Sequence, residues 1–346
     1  MRPAHLIRLA STALWSLCFC ALAQADTAPA NAGVVNVYSA RHYDTDMALY
    51  DRFTETTGIQ VNLIEGNSDG LIERIANEGE FSPADMMITV DAGRLWRAQQ
   101  AGIFRPVTSK LLNERIPAHL RDPNGEWYGL SKRARVIVYN KAAGLPEGLD
   151  SYEALADPTL RGKVCMRSSN NIYNLSLLGA LIEHAGATKA EAWAKAVVAN
   201  FARAPQGNDT AQLRAVGAGE CGVSIANTYY IGRLLGSDQA ADQELMTQLG
   251  VLFPNQDDRG AHVNISGAGI TRYAPNPENA LKFLEYLTSD FAQRLFAEGN
   301  NEYPVTGKVT GAVAALGPFK EDPINAVILG TNQAQAVQLF DRAGWR

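Results

Sequence analysis

The strongest constraint on this chain is a regular alternation of short apolar runs with amphipathic segments. Residues 34–39 (VVNVYS), 59–64 (IQVNLI) and 84–90 (ADMMITV) read as strands. Between them lie helical patterns. Asp44 or Thr45 can cap the first helix, Met47, Tyr50 and Phe53 share a face, and Gly58 stops it. Ser68 is expected to cap the second, which carries Leu71, Ile72 and Ile75, and residues 93–100 form a third before Gly102. This rhythm predicts an α/β protein with a mainly parallel sheet covered by helices on both faces. The pattern restarts downstream, with strands at 135–139, 163–166, 222–225 and 263–270 and helices at 171–184, 189–201, 275–287 and 290–298. No internal repeat or low-complexity linker separates the halves. Two lobes are therefore expected, with the chain crossing between them more than once: 26–112 plus 256–305, and 113–255 plus 306–346.

The first 25 residues do not fit this pattern. Arg2 and Arg8 precede a nearly unbroken apolar run from Leu9 to Ala23, and Ala23-Gln24-Ala25 is an A-x-A cleavage site. The run is too short to span a bilayer, which needs about 20 residues, so it reads as a secretory signal peptide. Cys18 and Cys20 follow Leu17 and Phe19, where a lipid-modification site would want a small residue. Cleavage takes the formal charge from −5 to −7 and leaves Cys165 and Cys221. An even pair of cysteines in an exported chain suggests a disulfide, with two buried free thiols as the alternative.

Composition excludes several classes. With 46% hydrophobic and 19% charged residues there is apolar material for packed cores, and disorder is excluded as the main state. The acidic balance disfavours nucleic acid, whose phosphates call for a basic patch. His119, His184 and His262 are isolated in the sequence and HExxH does not occur, so no enzymatic activity is expected. An exported, acidic, two-lobed α/β chain without an anchor points instead to a solute-binding protein. Its ligand site should lie just beyond the carboxyl ends of strands.

Those positions hold tyrosines. His42 and Tyr43 follow the first strand, Tyr173 follows the strand at 163–166, and Tyr229 and Tyr230 follow the strand at 222–225. A phenol with a pKa of about 10 is a poor anion unless a strong positive charge draws off its proton, and a bound cation does this. Phenolate is a hard oxygen donor suited to a small, highly charged ion, which makes Fe³⁺ the natural candidate. Four phenolates would overbalance Fe³⁺ by one charge, and Arg133 and Arg233 are available to offset it. Any one of these tyrosines taken alone would be an ordinary packing residue; their coincidence in three strand-end loops carries the metal reading.

The stretches VYSARHYDTD, ADMMITVDAGRL, GLSKRARVIVYN, RGKVCMRSSNNIYN, GECGVSIANTYYIGRL and NEYPV resemble the ferric-iron-binding proteins of bacterial ABC importers, in their tyrosine-rich branch. The resemblance runs over most of the mature chain. It implies a two-lobed type II periplasmic-binding-protein fold that closes on Fe(III) in the periplasm, as a monomer, and hands it to an inner-membrane ABC permease. It implies Tyr43, Tyr173, Tyr229 and Tyr230 as ligands, with His42 at a position that ligates in some relatives and not in others. Arg133 is implied as the cation behind the ligands, Arg233 as a weaker candidate, and Cys165–Cys221 as a disulfide. Another branch places a Glu after the ADMMITV-like strand and completes the shell with an exogenous anion. Here that position holds Val90, followed by Asp91, which favours an anion-independent shell, although Ser168-Ser169-Asn170 at a helix start could still attract an anion. The alternatives are an oxyanion or small organic ligand held without metal, a secreted hydrolase, and a protein of Fe²⁺ or iron storage.

Overall fold

The computed structural model describes residues 32–41 and 43–346; the expected signal peptide and His42 lie outside the described residues. Among the described residues there are nine strands: β1 (Val34–Ser39), β2 (Gln60–Glu65), β3 (Met86–Val90), β4 (Tyr128–Asn140), β5 (Val164–Cys165), β6 (Val223–Asn227), β7 (Leu249–Leu252), β8 (Val263–Ile270) and β9 (Tyr303–Pro304). The helices are α1 (Met47–Thr57), α2 (Ser68–Glu78), α3 (Ala92–Gln100), α4 (Lys110–Arg115), α5 (Ile172–Ala185), α6 (Ala187–Ala199), α7 (Asp209–Gly217), α8 (Thr228–Leu235), α9 (Ala240–Gln248), α10 (Pro277–Tyr286), α11 (Asp290–Asn300), α12 (Ala326–Thr331) and α13 (Gln333–Ala343).

The strands run in the order β2-β1-β3-β8-β4-β6-β5, with β7 and β9 also pairing with β4. The sheet is mixed, which corrects the expectation of a mainly parallel one. β1 is parallel to β2 and β3, and β5 to β6, with helical connections between them as parallel pairs need. β8 runs opposite to both of its neighbours, β3 and β4, and β4 in turn runs opposite to β6 and β7, so β3/β8, β4/β8, β4/β6 and β4/β7 are antiparallel.

β4 is the longest strand and is much longer than its apolar segment 135–139 suggested. Its polar N-terminal half (YGLSKRA) is buried against β8 over Tyr128–Ala134, and its second half pairs with β6 and β7 over Arg135–Asn140. One strand thereby joins two bodies of packing. The first core gathers Phe53, Met86, Leu95, Trp127, Ile265 and Phe283, and it also takes in Ile116, Leu120 and Leu130. The other two clusters flank the second half of β4: Leu155, Leu178, Trp193 and Phe340 on one side, and Val136, Leu213, Ile231 and Leu249 on the other. The chain returns through the segment between β7 and β8. There the Ala261 amide donates to the Lys320 carbonyl and the Ala261 carbonyl accepts from the Asp322 amide of a third passing segment. Gly260 has φ +98°, and a Cβ would lie 2.6 Å from the Glu321 backbone, so only glycine fits.

Three local expectations need correction. Neither Asp44 nor Thr45 caps α1, whose N-cap is Asp46 without a side-chain cap, and the Thr45 hydroxyl donates to Asn300 instead. Ser68 does not cap α2; the Asn67 side chain does, accepting from the Gly70 amide, while the Ser68 hydroxyl is occupied by Thr89. Met47 is exposed, because a short 3₁₀ turn at Asp44–Asp46 precedes α1 and turns Leu49, Tyr50 and Phe53 inward instead. Gly58 ends α1 in the left-handed conformation, as expected. Cys165 and Cys221 form a disulfide with Cα atoms 5.8 Å apart. It ties β5 to the turn before β6. No helix among the described residues is long and apolar enough to cross a membrane.

Candidate metal centre

Each expected tyrosine is delivered by a strand end. Tyr43 follows β1. Tyr173 lies in the first turn of α5, whose Asn171 cap accepts from the Asn174 amide. Tyr229 and Tyr230 open α8 directly after β6. All four line one cavity, together with Val90, Arg133, Arg233, Glu302, Ala40 and Arg41. The Tyr229 hydroxyl donates to the Tyr173 hydroxyl at 3.0 Å, and the Tyr229 and Tyr230 rings lie 4.3 Å apart. Two oxygens at that separation can be neighbouring ligands of one octahedral ion with metal–oxygen bonds of about 2.0–2.1 Å. Tyr43 comes from the β1 side of the cleft and the other three from the β5–β6 side, so the cavity lies between the two bodies of packing.

The surroundings keep the phenols of Tyr43, Tyr229 and Tyr230 neutral when no cation is bound. Burial pushes Tyr43 well above the usual phenol range, helped by Glu302 and opposed by Arg41, Arg133 and Arg233. Burial also raises Tyr229, with Tyr173, Tyr230 and Asp209 adding to it. Tyr230 is raised by burial and by Asp209. Among the described residues, no cluster of three or more His, Cys, Asp or Glu side chains could hold a metal. The hard oxygen donors that do converge are phenols.

Arginines surround the tyrosines in three different settings. The Arg233 guanidinium is exposed and sits 5.5, 5.3 and 5.7 Å from the ring centroids of Tyr43, Tyr229 and Tyr230. Arg133 is buried in the cavity wall, donating to Ser266 at 2.8 Å and pairing with Glu302 at 3.5 Å. Arg135 and Arg167 lie near the Tyr173 ring and share the carboxylate of Asp209, at 2.8 and 2.9 Å.

Four residues of this network carried no role in the sequence reading. Glu302 is fully buried and accepts from Arg41 at 2.9 Å and from Ser131 at 2.6 Å. Burial alone would raise its carboxyl, but Arg41, Arg133 and the Ser131 hydroxyl hold it below its usual range. Arg41 also pairs with Asp46 at 3.0 Å and stacks on the Tyr43 ring. Asp209 additionally accepts from the Asn227 amide, fixing the loop that presents Tyr229 and Tyr230. Asp91 is buried outside the cavity wall. NEYPV and VYSARHYDTD were conspicuous stretches, yet a single Glu or Arg within them carries no sign of its partner 261 positions away.

Residues 81–331 match the family model described as bacterial extracellular solute-binding protein. The chain belongs to this family. Among its relatives, iron uptake protein A1 of Synechocystis is 51% identical over 324 residues, spanning 93% of this chain and 90% of that protein. The structure of FutA (IdiA) of Trichodesmium, in complex with iron and citrate ligands, is similar with a TM-score of 0.88 at 55% identity, covering 91% of this chain and all of that one. The ferric binding protein from Campylobacter jejuni is similar with a TM-score of 0.84 at 42% identity, covering 90% and 100%. The two-lobed periplasmic-binding-protein fold expected from the sequence is the fold of these solute-binding proteins. Val90, at the position where another branch carries a Glu, presents only an apolar side chain to the cavity. Ser168 and Asn170 hydrogen-bond to each other outside the cavity wall.

Proposed function

We propose that this solute-binding protein is the Fe(III)-binding component of an ABC iron importer. On this reading it takes up ferric iron in the periplasm and delivers it to an inner-membrane permease. The convergence of four phenol oxygens, from both sides of one cleft, carries the proposal. Tyr43, Tyr173, Tyr229 and Tyr230 are the ligands, each losing its proton as Fe³⁺ enters. The ion contributes positive charge that lowers the phenol pKa values, and the chain contributes a preformed oxygen cage. The resulting excess negative charge falls to Arg233, whose guanidinium faces three of the four rings. Arg133 and Arg41 are already balanced by Glu302 and Asp46.

Because the ligands come from both lobes, bound iron favours the closed arrangement over the open one. The crossovers then act as the hinge. One lies at Ala134–Arg135 in β4, where pairing passes from β8 to β6, and the other lies between β7 and β8. A carboxylate, like that of the citrate in the Trichodesmium complex, completes the shell, with His42 as the competing donor. The protein acts as a monomer without catalytic activity, exported by residues 1–25.

The test is a visible spectrum. Tyrosinate–Fe³⁺ absorbs by charge transfer, so the purified protein titrated with Fe³⁺ should turn orange to red. Replacing Tyr229 and Tyr230 together with Phe should abolish the colour. A colourless titration, or tighter binding of phosphate, sulfate or a polyamine than of iron by calorimetry, refutes the proposal.

A further inference from the structure

Asp91 is a buried carboxylate that the iron site does not use. It follows β3 at the cleft but turns away from the cavity and is fully buried. Its backbone is held at φ +80°, a conformation that L residues adopt only when their surroundings enforce it. The enforcing contacts are all in place. Its amide donates to the Ile265 carbonyl. One carboxylate oxygen accepts from Asn264 Nδ2 at 2.9 Å. The Asn264 amide oxygen is itself occupied by the Ala92 and Ile265 amides, so its orientation is fixed. These groups belong to the first lobe.

The other carboxylate oxygen accepts from the Gly93 amide at 2.8 Å and from Ser176 Oγ at 2.8 Å. Ser176 is on α5, and its neighbours Leu175, Leu177 and Leu178 pack in the second lobe. Ser176 lies one helical turn after Tyr173, on the same face of α5. We propose that the Asp91–Ser176 hydrogen bond is an interlobe latch that holds α5, and with it Tyr173, against the first lobe in the closed state. Asp91 and Ser176 are then positioning residues for cargo retention: they touch no ligand atom, yet they govern how long the cage stays shut. The latch differs from the other buried polar contacts around the cavity. Glu302 ties Arg41 to Arg133 within the β8–β4 side, and Asp209 ties Arg135 to Arg167 within the β5–β6 side. Asp91–Ser176 joins a strand-end loop of one lobe to a helix of the other.

This inference rests on the iron-binding proposal, and its test separates the two. Ser176→Ala removes one hydroxyl from a helix where Ala is well tolerated. Ser224→Ala is the control, because the Ser224 hydroxyl is equally buried but bonds to the Cys165 carbonyl within the second lobe. Each protein is loaded with Fe³⁺, and release to excess EDTA is followed by loss of the charge-transfer band. Apo proteins are compared by small-angle scattering. Ser176→Ala should keep the band position and the association rate, release iron about 5- to 20-fold faster, and give a larger apo radius of gyration. Ser224→Ala should match wild type. Unchanged release in Ser176→Ala, or equal acceleration in the control, overturns the latch. If wild type shows no colour, the iron proposal fails and scattering alone decides: expansion of Ser176→Ala supports the latch, and an unchanged radius overturns it.

Discussion

Replacing Glu302 with Gln should destabilise the apo protein severely. Glu302 is fully buried between two buried guanidiniums, 2.9 Å from Arg41 and 3.5 Å from Arg133. The amide keeps the shape but removes the charge, and it turns an NH₂ group toward donors. Arg41 retains Asp46 at 3.0 Å. Arg133 has no second carboxylate within ion-pair distance among the described residues, so one buried cation is left uncompensated. Removing one partner of a buried pair costs about 3–5 kcal/mol, a large share of the roughly 5–15 kcal/mol that holds a domain folded. At about 2–4 °C per kcal/mol for a body of this size, the melting temperature should fall by roughly 6–20 °C. Urea denaturation followed by tryptophan fluorescence, with Trp127 reporting from the first core, measures the loss. The pH dependence gives a second readout. The Glu302 carboxyl is held below its ordinary range in the fold. Its contribution is therefore present above the unfolded value of about 4.3 and is lost as pH falls through the lower folded value. Wild type should shed that part of its stability in acid, and the variant should lack that step. A loss below about 1 kcal/mol, within the range of an exposed pair, would refute the assignment of Glu302 as the charge that offsets Arg133.

Two further outcomes follow from the same geometry. Tyr43, Tyr229 and Tyr230 have phenols raised above a range that already leaves under about 0.1% ionised at pH 7. Loading Fe³⁺ should therefore release about four protons per ion, counted with a pH indicator after correction for the iron chelate. Affinity should weaken as pH falls, and a count of one or fewer would refute a tyrosinate shell. Replacing Cys165 and Cys221 with Ser should cost about 4 kcal/mol on the chain-entropy estimate for a loop with a sequence separation of 56. Chemical denaturation measures it, and unchanged stability would show that the bridge adds nothing beyond its local packing.

Much of this architecture could be read along the chain because its causes are local. The strands at 34–39 and 263–270 match β1 and β8 residue for residue, since continuous apolar runs bounded by turn residues have few other uses. Gly58 ended α1 where expected because its left-handed conformation is a property of one residue. The four tyrosines could be grouped because each lies in the loop or helix start that follows a strand, and strand ends in α/β sheets point into a shared cleft. β4 was half missed. Its first part, YGLSKRA, is polar and charged and reads as a loop, yet Arg133 and Ser131 are buried there against partners far away in sequence. The mixed sheet direction was missed for a similar reason, because strand direction depends on where a long excursion re-enters.

Sequence alone thus determined the repeating elements and the supply of hard oxygen donors at strand ends. Both are set by neighbours within a few positions. Only the tertiary structure decided which charges are spent on one another. Arg133 looked free in SKRAR but pairs with Glu302, whereas Arg233 meets the tyrosine rings. Asp91 followed an apolar Val90 without an evident role and proved to accept from Ser176, 85 positions away. Burial and ion pairing act through space at distances of about 3 Å, and the residues that meet there are separated by 85 to 261 positions of chain.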